Sequence, residues 1–342
     1  MFRTIVAMLV GAYVLGAAIW IAASGVVRTG GEVELLNVAC DPTRELWHDV
    51  NALFISHYEQ KHGVKLTIRQ SHGGSGSQAR NVIDGLQADV VTLALWTDTD
   101  AIRKKGLIDA GWENRFENRS LPYVSTIVFV VRRGNPKQIH DWSDLARPDI
   151  RIITPNPKTS GNGKWSFLAA WGSVLENGGT EEQARELVKQ LYRPGGVLDT
   201  SALGAVASFA EKKIGDVHLT WENEAYIERD RFAKEGLEIV YPKSSILAEP
   251  HVAVVDSVVR SKGTTAIAEA YVKFLYAIEA QEVIAKHYYR PTNEAVKKRT
   301  ASRFPALKLF PASSIEPNWD TLQKRFFAEG GEFDQMLASH RK

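Results

Sequence analysis

The chain is short of several things that would point to particular chemistries. It has one cysteine, Cys40, in 342 residues, so no internal disulfide can staple it and cysteine usage does not reveal its redox compartment. Lys and Arg total 42 against 40 Asp and Glu, a formal charge of +2, with no block of like charge. Binding along nucleic acid needs a basic stripe that releases counterions, so nucleic acid is a poor candidate partner. The 9 histidines are scattered without HExxH or similar spacing, and no metal or cofactor is expected. Internal repeats, low-complexity tracts and flexible linkers are missing, so two lobes would have to be joined by strands rather than by a tether.

What the sequence does contain begins with an apolar run. After Arg3, the stretch from Thr4 to Val27 carries no charge, exits through Ala23-Ser24-Gly25, and is followed by Arg28, Glu32 and Glu34. A charged start, an apolar run and a small-residue exit form an export signal, and the run is also long enough for an uncleaved membrane anchor. Residues 1–30 are therefore read as signal peptide or N-terminal anchor, with the rest outside the cytoplasmic membrane, in the periplasm. Cys40 lies too far beyond the run, behind two carboxylates, to be a lipidated cysteine, and is expected to be a small buried thiol.

The length and the 44% hydrophobic, 24% charged composition predict two globular lobes or domains. "VELLNVA" (33–39), "VKLTI" and "ADVVTLAL" (88–95) read as strands. They alternate with a helix over 43–63, stopped by Gly63, and a helical stripe at Ala79, Val82, Ile83 and Leu86. Such alternation predicts a parallel sheet covered on both faces. A second lobe follows from strands at 125–133, 150–155 and 215–221 and a helix over about 163–176. "VAVVDSVV" (252–259) reads as a strand returning to the first sheet, and 264–289 as one long helical stretch. The expected division is 31–124 for the first part of lobe I, 125–250 for lobe II, and 251–342 for the return to lobe I and the C-terminal helices.

The most conspicuous motif is "RQSHGGSGSQARNVIDGL" (69–86). Gly73-Gly74-Ser75-Gly76-Ser77 fails the last position of a nucleophile elbow, and no lysine closes the loop as a nucleotide phosphate loop requires. His72 reads as a local hydrogen-bonding residue. What remains is a glycine turn between a strand end and a helix start, which aims backbone N–H groups and the positive end of the helix dipole at one point. That point suits an anion, although Ser75 as a simple helix cap explains the motif equally well taken alone. Asp41-Pro42-Thr43, "PNPKTSGNGKW" (155–165) with Ser160 and Gly161, and "LDTSALGA" (198–205) with Ala202 repeat the same junction, where open α/β sheets bind ligands.

These blocks, together with "LLNVACDPTREL", "TIVFVVRRGNPKQIHDW", "WENEA", "ILAEP" and "YYRP", resemble the periplasmic sulfate-binding proteins of bacterial ABC importers and their thiosulfate-binding relatives. The resemblance runs collinearly from about residue 34 to the C-terminal region. It implies a two-lobed periplasmic binding protein fold of type II, an α/β fold with the ligand in the cleft between lobes, acting as a monomer that delivers sulfate or thiosulfate to importer membrane subunits. It also implies the anion contacts: the N–H of Asp41, Ser75, the hydroxyl of Ser160, the N–H groups of Gly161 and Asn162, the N–H of Ala202, and the indole N–H of Trp221, with no balancing basic side chain or metal. Core packing is the alternative role for Trp221. Four positions depart from the family's pattern: Asn162 stands for a glycine, Ser201 for a glycine, Leu203 for a basic residue, and Cys40 for a tyrosine. A secreted hydrolase using Ser75 is the rival from a different class, and it would need a histidine base beside that serine.

Overall fold

The computed structural model describes residues 32–340, so the expected signal or anchor over residues 1–30 lies outside the described residues. Among the described residues no helix is long and apolar enough to cross a membrane.

Among the described residues the strands in chain order are β1 (Glu32–Cys40), β2 (Lys65–Gly73), β3 (Val90–Thr92), β4 (Tyr123–Val124), β5 (Ile127–Val131), β6 (Ile152–Pro155), β7 (Val197–Asp199), β8 (Val217–Trp221), β9 (Glu238–Val240), β10 (Ser244–Ile246), β11 (Val252–Val254), β12 (Arg290–Pro291) and β13 (Lys308–Phe310). Lobe I carries a sheet of order β11-β3-β1-β2, and lobe II one of order β7-β6-β8-β5-β9. In lobe I, β1 runs parallel to β2 and β3, as strand-helix alternation predicts, whereas β11 joins β3 antiparallel. In lobe II, β6 is parallel to β7 and β8, while β5 is antiparallel to both β8 and β9, so this sheet is mixed rather than parallel.

Two extended segments connect the lobes and touch where Ser125 and Ala248 exchange backbone hydrogen bonds of 3.0 and 2.9 Å. Short β12 lies against β4 on the same connection. The joint is therefore paired backbone.

Local chemistry sets the elements that face the cleft. The helix Arg44–His62 buries Leu46, Trp47, Val50, Phe54 and Tyr58 along one stripe, and ends because Gly63 adopts φ 66°, a left-handed conformation that returns its N–H to Glu59. Three expectations need correction. The returning strand is only Val252–Val254, and a helix begins at Asp256. The stretch 264–289 is two helices, Thr265–Phe274 and Ile278–Lys286, because the Gln281 amide donates to the carbonyls of Leu275 and Pro122 and holds the chain in a turn. The region 251–342 also divides. Residues through Pro291 serve lobe I and the connection, whereas β13 pairs with β10 and the last helices, Trp319–Phe326 and Glu332–Ser339, pack on lobe II through Phe167, Trp171, Phe326 and Phe333.

Candidate anion site

Four junctions between an extended segment and a helical turn or helix converge between the lobes. Cys40 leads into a 3-10 turn over Asp41–Thr43, and Gly74 precedes the helix Ser75–Ile83. In lobe II, Ser160 caps the helix Gly161–Glu176 and Ser201 caps the helix Ala202–Val206. First-turn N–H groups have no intrahelical acceptor, so each junction leaves donors unspent. Asp41, Ser75, Ser160, Gly161, Asn162, Ala202 and Trp221 all line one small, tightly closed cavity, together with Cys40, Pro42, Gly73, Gly74 and Ala94.

Trp221 is the most telling of these residues. It ends β8, is 0% exposed, and its Nε1 has no hydrogen-bond partner among the described residues. A buried donor without an acceptor costs about 1–3 kcal/mol, so an unpartnered indole N–H on a residue in the wall of a small cavity calls for an acceptor there. The Ser160 oxygen serves as the cap acceptor for Gly163 N–H at 3.5 Å, which leaves its hydroxyl proton to donate elsewhere.

Ser75 behaves differently from a hydroxyl contact. Its Oγ donates to Asp98 Oδ2 at 2.5 Å and accepts from Ala94 N–H at 2.9 Å. The hydroxyl is therefore committed, and what Ser75 offers the cavity is its backbone N–H. The same geometry removes the hydrolase arrangement, because a carboxylate rather than a histidine holds the serine proton, and His72 is occupied with Gln70 at 2.5 Å.

The charge inventory is sparse. Among the described residues no Lys, Arg or His lines the cavity. Its one acidic residue, Asp41, has a carboxyl whose pKa is raised by burial and opposed by Arg44, with Arg44 Nη1 at 3.9 Å from Oδ1. Burial, reinforced by Asp41, pushes the Cys40 thiol up to about 12, so this cysteine is a neutral, 2% exposed wall residue.

The structure accounts for two of the four departures from the family pattern, Asn162 and Ser201, and gives only the placement of Leu203 and Cys40. Asn162 is absent from the positive-φ residues, so the position does not require a glycine, and its side chain donates to Thr220 Oγ1 at 3.3 Å. Ser201 accepts from Gly204 N–H at 3.2 Å, a cap that a glycine cannot supply. Leu203 points outward at 40% exposure. Cys40 fills its place as a buried thiol.

Several contributors were not visible in the sequence. Trp165 Nε1 of lobe II donates to the Ala94 carbonyl of lobe I at 2.8 Å, and Lys164 Nζ of lobe II stands 4.0 Å from Asp98 Oδ1 of lobe I. The lobes meet so closely that a Cβ on Gly161 would lie 2.6 Å from Ala94 Cβ. Each of these contacts joins residues far apart in the chain, and no local motif announces them.

Comparison with known proteins agrees with the geometry. The family described as bacterial extracellular solute-binding protein matches residues 45–290. The sulfate-binding protein of Escherichia coli K12 is 50% identical over 323 residues, 94% of this chain and 98% of that one. The thiosulfate-binding protein of Pseudomonas aeruginosa is 45% identical, covering 89% of this chain and 92% of its own. The solved sulfate-binding protein SubI from Mycobacterium tuberculosis H37Rv superposes with a TM-score of 0.76 at 31% identity, over 86% of this chain and 99% of that one. The chain belongs to the bacterial extracellular solute-binding proteins, and its fold holds the ligand cleft of that family between two α/β lobes.

Proposed function

We propose that this protein captures sulfate in the periplasm and delivers it, as a monomer, to the membrane subunits of an ABC importer. The observation that carries the reading is the buried, unpartnered Trp221 indole N–H in a cavity without a basic side chain. The proposed contacts are the N–H groups of Asp41, Ser75, Gly161, Asn162 and Ala202, the Ser160 hydroxyl and the Trp221 indole. Stripping water from a dianion is costly, and hydrogen bonds to an ionised partner return roughly 1.5–3 kcal/mol each, so a donor set of this size offsets the loss without a counter-charge. Because the donors come from both lobes, the anion favours the arrangement in which the lobes meet, and the importer can read that arrangement as occupancy.

The family tie and the names of the relatives support solute binding rather than catalysis. Thiosulfate is the second reading, carried by the thiosulfate-binding relative at 45% identity. The test is calorimetric titration with sulfate of the wild type and of Trp221→Phe, which keeps the apolar ring but deletes the donor. The variant is expected to lose about 1–3 kcal/mol of binding. Equal affinity in the two proteins removes Trp221 from the site.

A further inference from the structure

Two sequence blocks that the anion contacts leave largely unused, "WENEA" (221–225) and "YYRP" (288–291), lie against each other. Glu222 receives a two-pronged contact from Arg290, with Nε 2.7 Å from Oε2 and Nη2 2.8 Å from Oε1. One residue further, Asn223 Nδ2 donates to Tyr289 Oη at 2.9 Å and to the Pro42 carbonyl at 3.1 Å. The Tyr289 hydroxyl donates to that same carbonyl at 2.6 Å. Asn223 and Tyr289 are both buried, and the Tyr289 ring stands edge-on to the Trp221 indole with centroids 6.4 Å apart. Pro42 directly follows Asp41, and Asn223 lies two residues past Trp221. A lobe II side chain thus grips the lobe I turn beside one proposed donor, from a position beside another.

We propose that Asn223, with Tyr289 as its partner, is a positioning residue for anion capture: by holding the Pro42 carbonyl it fixes the Asp41 N–H and the Trp221 indole N–H on the same anion when the lobes meet. The proposal rests on the functional reading above. Asn223 touches no anion, so its effect runs through the placement of two donors. When the lobes part, its amide and the Pro42 carbonyl return to water. The bond between them is therefore made on closing and resists opening, so its loss should appear in the dissociation rate rather than in association.

The experiment measures sulfate affinity and rates for the wild type, Asn223→Leu, Trp221→Phe and the double variant. Asn223→Leu should dissociate sulfate about three- to tenfold faster, with association changed by less than about twofold. The double variant should lose less than the sum of the two single losses, because a Trp221 that is already misplaced has less to give up. A merely structural Asn223 would give additive losses, and that outcome overturns the proposal, as does wild-type affinity in Asn223→Leu. If Asn223→Leu does not fold, Tyr289→Phe, which removes one hydroxyl, takes its place in the same cycle with the same two outcomes. A wild type that binds no sulfate overturns the functional reading and this inference together, whereas a binding wild type with unaffected variants overturns this inference alone.

Discussion

Three residues beyond Trp221, Glu224 is a buried carboxyl whose Oε1 has no hydrogen-bond partner among the described residues. Burial raises its pKa from an ordinary 4.5 to about 8, with Arg44 opposing and Glu45, Glu228 and Asp41 adding to the rise. The folded protein therefore holds this proton more tightly than the unfolded chain does. Its contribution to stability is fully present below about pH 4.5 and is lost as pH rises toward 8. Glu224→Gln should remove that loss, giving a flatter stability profile across the window and a more stable protein at its alkaline end, measured by urea unfolding at a series of pH values. An unchanged slope would show that Glu224 finds a partner in solution. At this scale the sequence was informative about backbone donors, because a glycine turn before a helix start exposes N–H groups whatever the tertiary context. It was silent on side-chain commitments. The Ser75 hydroxyl looks available in "GGSGS" and is taken by Asp98, 23 positions away, through a contact that only folding creates.

The elements that matter most are the four junctions that open onto the cavity, and Gly161 sets how tightly two of them approach. A methyl group on Gly161 would sit 2.6 Å from Ala94 Cβ across the cleft, with Leu95 and Ser75 close behind. Gly161→Ala should therefore leave the separate lobes intact but hold them apart. We expect a loss of sulfate affinity of about 1–3 kcal/mol, the usual scale for overpacking, with little change in the unfolding midpoint of the ligand-free protein. Calorimetry and thermal unfolding check both halves, and unchanged affinity would mean that closure tolerates the methyl. Strand and helix identities were legible from periodicity, since a buried stripe or an apolar run is a local property. Boundaries were not. The turn at 275–277 contains neither glycine nor proline, and a distant glutamine, Gln281, stabilises it by taking the Leu275 carbonyl. The docking of the C-terminal helices on lobe II was equally hidden, because aromatic residues at helical spacing say that a face is buried and not against which partner.

For the whole molecule, the proposed site follows from its charge balance. On the proposed reading, a near-neutral chain whose cavity has no basic side chain among the described residues holds its anion by donors alone, and donors discriminate by protonation. Sulfate at neutral pH offers only acceptors, whereas phosphate carries at least one O–H that must find an acceptor when buried. The backbone N–H groups and the indole cannot accept, the Ser160 oxygen already caps its helix, and the Asp41 carboxyl has Arg44 beside it. An unmet buried donor costs about 1–3 kcal/mol, which translates to phosphate binding about tenfold to a hundredfold more weakly than sulfate. The two-lobed plan was readable from the sequence because the chain exceeds one core and its strand-helix pattern recurs in a second half. The inter-lobe contacts of Trp165, Lys164 and Asn223 were not, since each depends on how two independent sheets face each other. The most direct test is titration calorimetry of both anions at pH 7 and matched ionic strength. A donor-only site predicts sulfate binding with phosphate at least about tenfold weaker; phosphate bound as tightly as sulfate would show that a carboxylate accepts its proton inside the cavity, and would contradict the account.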